Sequence, residues 1–425
     1  MKKLLLLVFL ASGFLATTYS QSFNGKFSSA IYTFERFDTV GSAYNQARTY
    51  QMLTFNFGKD NIWLRSSFSL AYDVANTLND DPRFRTYNLY VDVQNLFDVV
   101  SLQLGRQPLF TSIAGGVFDG VTLGLDYKGY KLIGYYGGNV PPYQAWEVAD
   151  FSSDNFVAGG EFSVYALTNW RFAAKYINKH FPSQSYEAVR LDPELNPINV
   201  LIENASNEYE YLSGELSYFK QRQYNFNARY SYDLNYNTTS RIELYGRYGS
   251  IKNLGLTLYY NYQEPMVRYN SIFSVFNFAN TWEIEGGADY LIADKYTILG
   301  KFANVTYQDE TSQRVTLGLK SPFGTITVRK NFGFAGEMDA ISLYTAFAAA
   351  EGLLTPSLGF SFTRYKLSPD DQFNEVVSVL GGFNYRPIRM LSFDLQGQYL
   401  NNKIYEYDWR FFFKINFWFN VIINK

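Results

Sequence analysis

From residue 23 almost to its C-terminus, the chain alternates polar and apolar side chains with a period of two. In "RIELYGRYG", Arg241, Glu243, Tyr245 and Arg247 fall on one side, and Ile242, Leu244 and Tyr248 on the other. "YDWRFFFKINFWF" sets Asp408, Arg410, Lys414 and Asn416 against Trp409, Phe411, Phe413, Ile415 and Phe417. This period puts successive side chains on opposite faces of a β-strand. No convincing helical period occurs beyond the N-terminal segment. The fold class is therefore all-β, with strands that are apolar on one face and polar on the other.

The connectors alternate as well. Short ones such as "GKDN" (58–61), "KG" (128–129) and "SPFG" (321–324) take turns with longer ones, among them 75–86, 137–153, 180–207 and 267–279. A soluble β-sandwich has no reason to collect its long loops at one end. A transmembrane antiparallel up-and-down β-barrel does, with short periplasmic turns and long extracellular loops. Backbone groups facing lipid must all be paired, so such a sheet has to close on itself. Counting alternating segments gives about 22 strands, within a range of 18–22, the first near 23–36 and the last near 406–419. An even count leaves both termini periplasmic. "NVIINK" (420–425) then reads as an atypical tail beyond the closing strand.

Composition fits a barrel wall. Aromatic residues make up 19% of the chain, with 37 Tyr and 38 Phe, where soluble domains rely more on aliphatic residues. After the leader no apolar run approaches the ~18 residues of a membrane helix. The leader "MKKLLLLVFLASGFLATTYSQ" has Lys2 and Lys3 before an apolar core. Thr18 and Ser20 suit the −3 and −1 positions of a cleavage site. Residues 1–20 are read as a signal peptide and 21–425 as a single outer-membrane barrel domain. Because strands begin near Phe23, no room remains there for the globular plug of an energy-coupled transporter.

Catalytic chemistry is sparse. The chain has no cysteine and one histidine, His180, where a strand enters the longest loop. Ser-His or Cys-His machinery could be assembled only around that residue. No G-x-S-x-G occurs, and His/Cys metal sites are absent. The expectation is a protein that is not an enzyme, with no cofactor and no metal. A net charge of −2 gives no footprint for nucleic acid.

Sorted by phase, the polar faces form a lumen wall of mixed charge with a slight basic excess. Arg241, Arg247, Arg314, Lys320 and Arg329 are its candidate pore-lining cations, the last three on adjacent strands. Rings of Arg and Lys favour anions. Glu283, Glu285 and Asp289, in "TWEIEGGADY", are candidate pore-lining acids, with Lys301 next door as a partner.

One stretch breaks phase. In "LQLGRQPLFTSIAGGVFDGVTLGLDY" (102–127), Arg106 shares a face with Leu102 and Leu104, and Asp119 with Val121 and Leu123. Gly105 and Gly120 stand beside them. A strand glycine often marks a bulge, which flips the phase. Bulges there would turn both charges into the lumen to pair, pinning 108–118 as an inward constriction loop. "LGRQPLF" followed by "FDGVTL" resembles the strand–loop–strand signature of alginate-export-type outer-membrane porins over 99–127. That resemblance implies a monomeric barrel passing anionic or polar solutes.

The expectation is a bacterial outer-membrane channel for passive diffusion of small polar solutes, leaning to anions. Outer-membrane lipid and lipopolysaccharide would surround it, as a monomer or trimer. The other reading is a binding or adhesion barrel whose extracellular loops dock a surface partner or polymer.

Overall fold

The computed structural model describes residues 21–37, 43–75, 77, 81–109, 115–141, 146–181, 184–191, 196–204, 209–221, 223–264, 280–307, 310–333, 338–366, 368, 370–403 and 407–423. The leader lies outside these, as does the tip of the expected constriction loop, 110–114.

The strands are β1 (Gln21–Phe37), β2 (Ala43–Lys59), β3 (Ile62–Asp73), β4 (Arg83–Leu96), β5 (Val100–Leu109), β6 (Gly116–Tyr127), β7 (Tyr130–Asn139) and β8 (Phe156–Val164). They continue with β9 (Trp170–His180), β10 (Gln184–Leu191), β11 (Pro197–Asn204), β12 (Tyr209–Lys220), β13 (Tyr224–Asp233), β14 (Thr238–Tyr248), β15 (Leu254–Gln263) and β16 (Thr281–Ile292). The last are β17 (Tyr296–Tyr307), β18 (Glu310–Ser321), β19 (Gly324–Phe332), β20 (Met338–Ala346), β21 (Leu354–Tyr365), β22 (Asn374–Ile388), β23 (Leu391–Asn401) and β24 (Asp408–Ile423).

Twenty-two of these form one antiparallel sheet, each strand paired with its neighbours in the chain, and β1 pairs with β24 to close it. β9 pairs directly with β12. The intervening β10 and β11 make a separate hairpin in the longest connector. The fold is thus a closed 22-stranded β-barrel, at the upper end of the expected range. The first four residues of "NVIINK" are not a tail: Asn420, Val421, Ile422 and Ile423 pair with Asn24, Phe23, Ser22 and Gln21 and lengthen the closing seam.

Ten connectors lie at one barrel end together with the start of β1 and the end of β24, and the longest of them spans 347–353. Several are tight. Lys128 (φ 49°) and Gly129 (φ 85°) form a two-residue turn with both φ positive, the geometry that matches strand twist. The other end carries 140–155, 181–208 and 264–280, but β17 and β18 are joined there by 308–309 alone. The asymmetry is real, although not every loop at that end is long.

Ladder register assigns the two faces. One face carries Glu161, Lys175, Glu215, Arg229, Glu243, Glu285 and Arg314, which meet across the lumen wall. The other presents Leu123, Leu132, Leu212, Leu258, Ile298, Leu317 and Leu358, all exposed. Towards the short-turn end this outer band passes into aromatic pairs such as Phe23–Phe419, Trp170–Tyr218 and Tyr224–Tyr248. Tyr399–Trp409 and Trp282 lie at the other end. An apolar belt between aromatic girdles is the outside of a transmembrane barrel.

Candidate functional site

The lumen wall is built on an ion-pair girdle. Glu161 on β8 lies 3.6 Å from Arg171 and 3.7 Å from Lys175, both on β9. Lys175 reaches Glu215 on β12 at 3.0 Å, and Glu215 accepts from Arg229 on β13 at 3.2 Å. Glu243 on β14 takes Arg229 at 3.4 Å and Arg241 at 2.9 Å. Further round, Arg247 grips Asp289 with two hydrogen bonds of 2.5 and 2.9 Å. Lys301 donates to Glu285 at 2.7 Å, and Arg314 bridges Glu285, at 3.2 Å, and Glu283. Every link joins side chains of the same phase on the same, neighbouring or next-but-one strands, as the two-residue period requires.

Partly exposed pairs of this kind contribute only about 0–1 kcal/mol each. Their effect is on the field inside the barrel. Seven cations (Arg171, Lys175, Arg229, Arg241, Arg247, Lys301, Arg314) alternate with six anions (Glu161, Glu215, Glu243, Glu283, Glu285, Asp289). All three expected acids and Arg241, Arg247 and Arg314 therefore lie in the girdle and are neutralised there. Lys320 and Arg329 face the lumen without an ion pair among the described residues; their register partners include Thr297 and Thr316. The expected basic cluster of Arg314, Lys320 and Arg329 is thus reduced to two cations, because Arg314 is committed to carboxylates.

The phase-breaking stretch is built differently from expectation. Arg106 and Asp119 stand directly opposite each other on β5 and β6. Arg106 donates through Nε to Oδ1 at 2.8 Å and through a terminal nitrogen to Oδ2 at 2.9 Å. Both residues are buried, at 4% and 5% exposure. No bulge turns them inward, since the ladder runs unbroken from β5 to β7 through Gly105, Gly120 and Gly137. The pair keeps the phase of Val121 and Leu123 and lies on the outer face. Its cover is the β7–β8 connector. The Glu147 carbonyl accepts from Arg106 at 2.5 Å, and the Ala149 N–H donates to Asp119 at 2.8 Å. Trp146 stacks on Phe84 with ring centroids 4.4 Å apart, and Phe151 lies against Tyr136. All of these contacts are on the outside of the wall.

The inner face of the same hairpin does lean into the lumen. Leu109 and Phe118 pack with Val157 on β8, Ile177 on β9 and Tyr211 on β12. Lys179 of β9 donates to the Gly115 carbonyl at 2.9 Å. So the described flanks of the expected constriction loop are held inward, but by an apolar cluster and Lys179 rather than by the charge pair.

A row of glycines crosses the hairpin and the strand beside it. Gly105 has φ +123°, and a Cβ on Gly120 would collide with the Tyr136 carbonyl oxygen. A Cβ on Gly137 would collide with that of Asp119. At these positions β5 approaches β4, and β6 and β7 approach each other, too closely for a side chain. Sequence reasoning missed Trp146, Glu147, Ala149 and Lys179. The one available signal was a tryptophan within a loop read as extracellular. His180 ends β9, its ring stacked on Phe156 and its carbonyl accepting from Asn139.

No family model matches the chain, and no curated protein matches it in sequence. Among solved structures, it resembles the translocation pore of the P pilus usher PapC at 10% identity and a TM-score of 0.46, over 93% of this chain and 99% of that one. OccAB1 of Acinetobacter baumannii gives 7% and 0.44 over 95% and 97%. OpdK of Pseudomonas aeruginosa, solved with vanillate, gives 10% and 0.43 over 95% and 99%. At these scores the likeness adds nothing to the barrel already established by its own ladder.

Proposed function

We propose that the chain is an outer-membrane channel for passive diffusion of small polar solutes, with a weak preference for anions. The observation that carries this reading is the near-balanced girdle lining a closed barrel with an apolar outside. A wall of alternating charges presents polar groups to a passing solute without a deep well of either sign. Lys320, Arg329, the one surplus girdle cation, and Lys26 with Lys414 on the closing seam, offset in part by Asp394, supply the slight positive bias. In this setting the short turns and both termini are periplasmic, residues 1–20 are an export signal, and lipopolysaccharide faces the long loops of a monomer or trimer. A polyanion such as alginate would call for a continuous basic track. The neutralised wall favours small solutes instead, despite the resemblance over 99–127.

Liposome swelling with the purified protein tests the substrate class. Neutral sugars and zwitterionic amino acids of similar size should enter at rates close to those of small organic acids and phosphate. Entry of anions alone would overturn the balanced-wall reading. No entry of any solute would favour the binding or adhesion barrel.

A further inference from the structure

We propose that residues 146–151 act as an outer strap that sets the position of the inward-leaning β5–β6 hairpin, and that Arg106 and Asp119 are the positioning residues through which it does so. The width of the lumen is then governed from the outside of the wall. For its functional readout the proposal rests on the channel reading.

Gly105, Gly120 and Gly137 lie in one ladder row, and beyond that row the hairpin tips inward, with Leu109 and Phe118 packed on Ile177 and Tyr211. The same tilt leaves its outer face uncovered, with a cation and an anion where the neighbouring positions carry Leu104 and Val121. Such charges are expensive against lipid, and a buried pair needs its remaining hydrogen-bonding capacity met. The strap meets it on both partners: the Glu147 carbonyl on Arg106 and the Ala149 N–H on Asp119. Its ends are fixed independently. Trp146 stacks on Phe84, and the Asp150 carbonyl accepts from Asn155 at 3.0 Å. The strap therefore has purchase on β4 and on the residue that leads into β8, and the hairpin is clamped between it and Lys179 inside. Loosening the clamp frees the hairpin to move out of the lumen.

The cysteine-free chain allows a clean test. A Cβ on Gly138 would lie 3.1 Å from the Ala149 Cβ, a few tenths of an ångström inside the ~3.5–4.5 Å spacing of a disulfide, and 2.9 Å from the Asp150 carbonyl oxygen. The strap must therefore ease outward slightly for the bond to close, and Gly138→Cys with Ala149→Cys in the native background is carried as the control. Arg106→Ala is compared with Arg106→Ala carrying Gly138→Cys and Ala149→Cys, oxidised and reduced. Two readouts are taken: unitary conductance in planar bilayers, and acetylation of Lys179, which is 7% exposed beneath the hairpin. Arg106→Ala should raise both. The closed disulfide should return both to native levels, and reduction should raise them again. A wall that merely tolerates the pair would not respond to the crosslink.

If Arg106→Ala leaves Lys179 protected, or the disulfide fails to restore protection, the proposal is wrong. Should the native protein not conduct, the channel reading falls and Lys179 acetylation alone decides the strap. If Arg106→Ala does not fold, Trp146→Ala replaces it, with the same outcomes required.

Discussion

Arg106 and Asp119 bury opposite charges on the lipid side of a wall, which is tolerable only because each answers the other and the strap answers both. Removing one strands its partner, at a cost of about 3–5 kcal/mol. Asp119→Leu should therefore lower unfolding stability in urea by roughly that amount, and Arg106→Leu on top of it should recover most of the loss. Additive losses would show that the two residues act separately. The pairing was legible in the sequence, because two opposite charges fall on apolar faces beside two glycines. Their outward facing was legible too, since plain alternation sets them with Leu104 and Val121, but the adjacent glycines were read as bulges that reverse it. What no local period reports is their cover, residues 146–151, which follow them in the chain and fold back over them. The girdle was legible for the opposite reason: Glu285, Lys301 and Arg314 keep phase on three consecutive strands, so alternation alone brings them together.

At the scale of strands, period-two alternation identified the wall and most turns, since Gly, Asn and Lys-Gly punctuate them. It mistook the last four paired residues of β24 for a tail, because "NVII" loses alternation while its backbone still pairs with β1. It also read in-strand glycines as bulges. The glycine row instead marks positions where neighbouring backbones approach too closely for a side chain. Gly134 lies on β7 as well, towards the short-turn end from Gly137, and a Cβ placed there would meet nothing within 4 Å. Valine suits exposed strand positions, so Gly134→Val should fold normally. Gly120→Val, aimed at the Tyr136 carbonyl, should not. The check is the unheated SDS gel, where the folded barrel runs ahead of the boiled one. Gly134→Val should keep that faster band and Gly120→Val should lose it; a fast band from both would contradict the close approach at Gly120.

For the whole molecule, closure of 22 strands removes every sheet edge from lipid and encloses a wide interior. The sequence pattern makes that interior slightly basic, and the pairing of Arg314 with Glu283 and Glu285 brings it closer to balance. We propose an open, near-neutral polar path through the barrel. Single-channel recording in planar bilayers across a potassium chloride gradient tests it most directly. The native protein should give discrete conductance steps with a small reversal potential of anion-selective sign. Glu283→Gln with Glu285→Gln, which frees Lys301 and Arg314, should shift that potential further towards anions. Absence of conductance, or strong selectivity in the native protein that the double substitution leaves unchanged, would contradict the account.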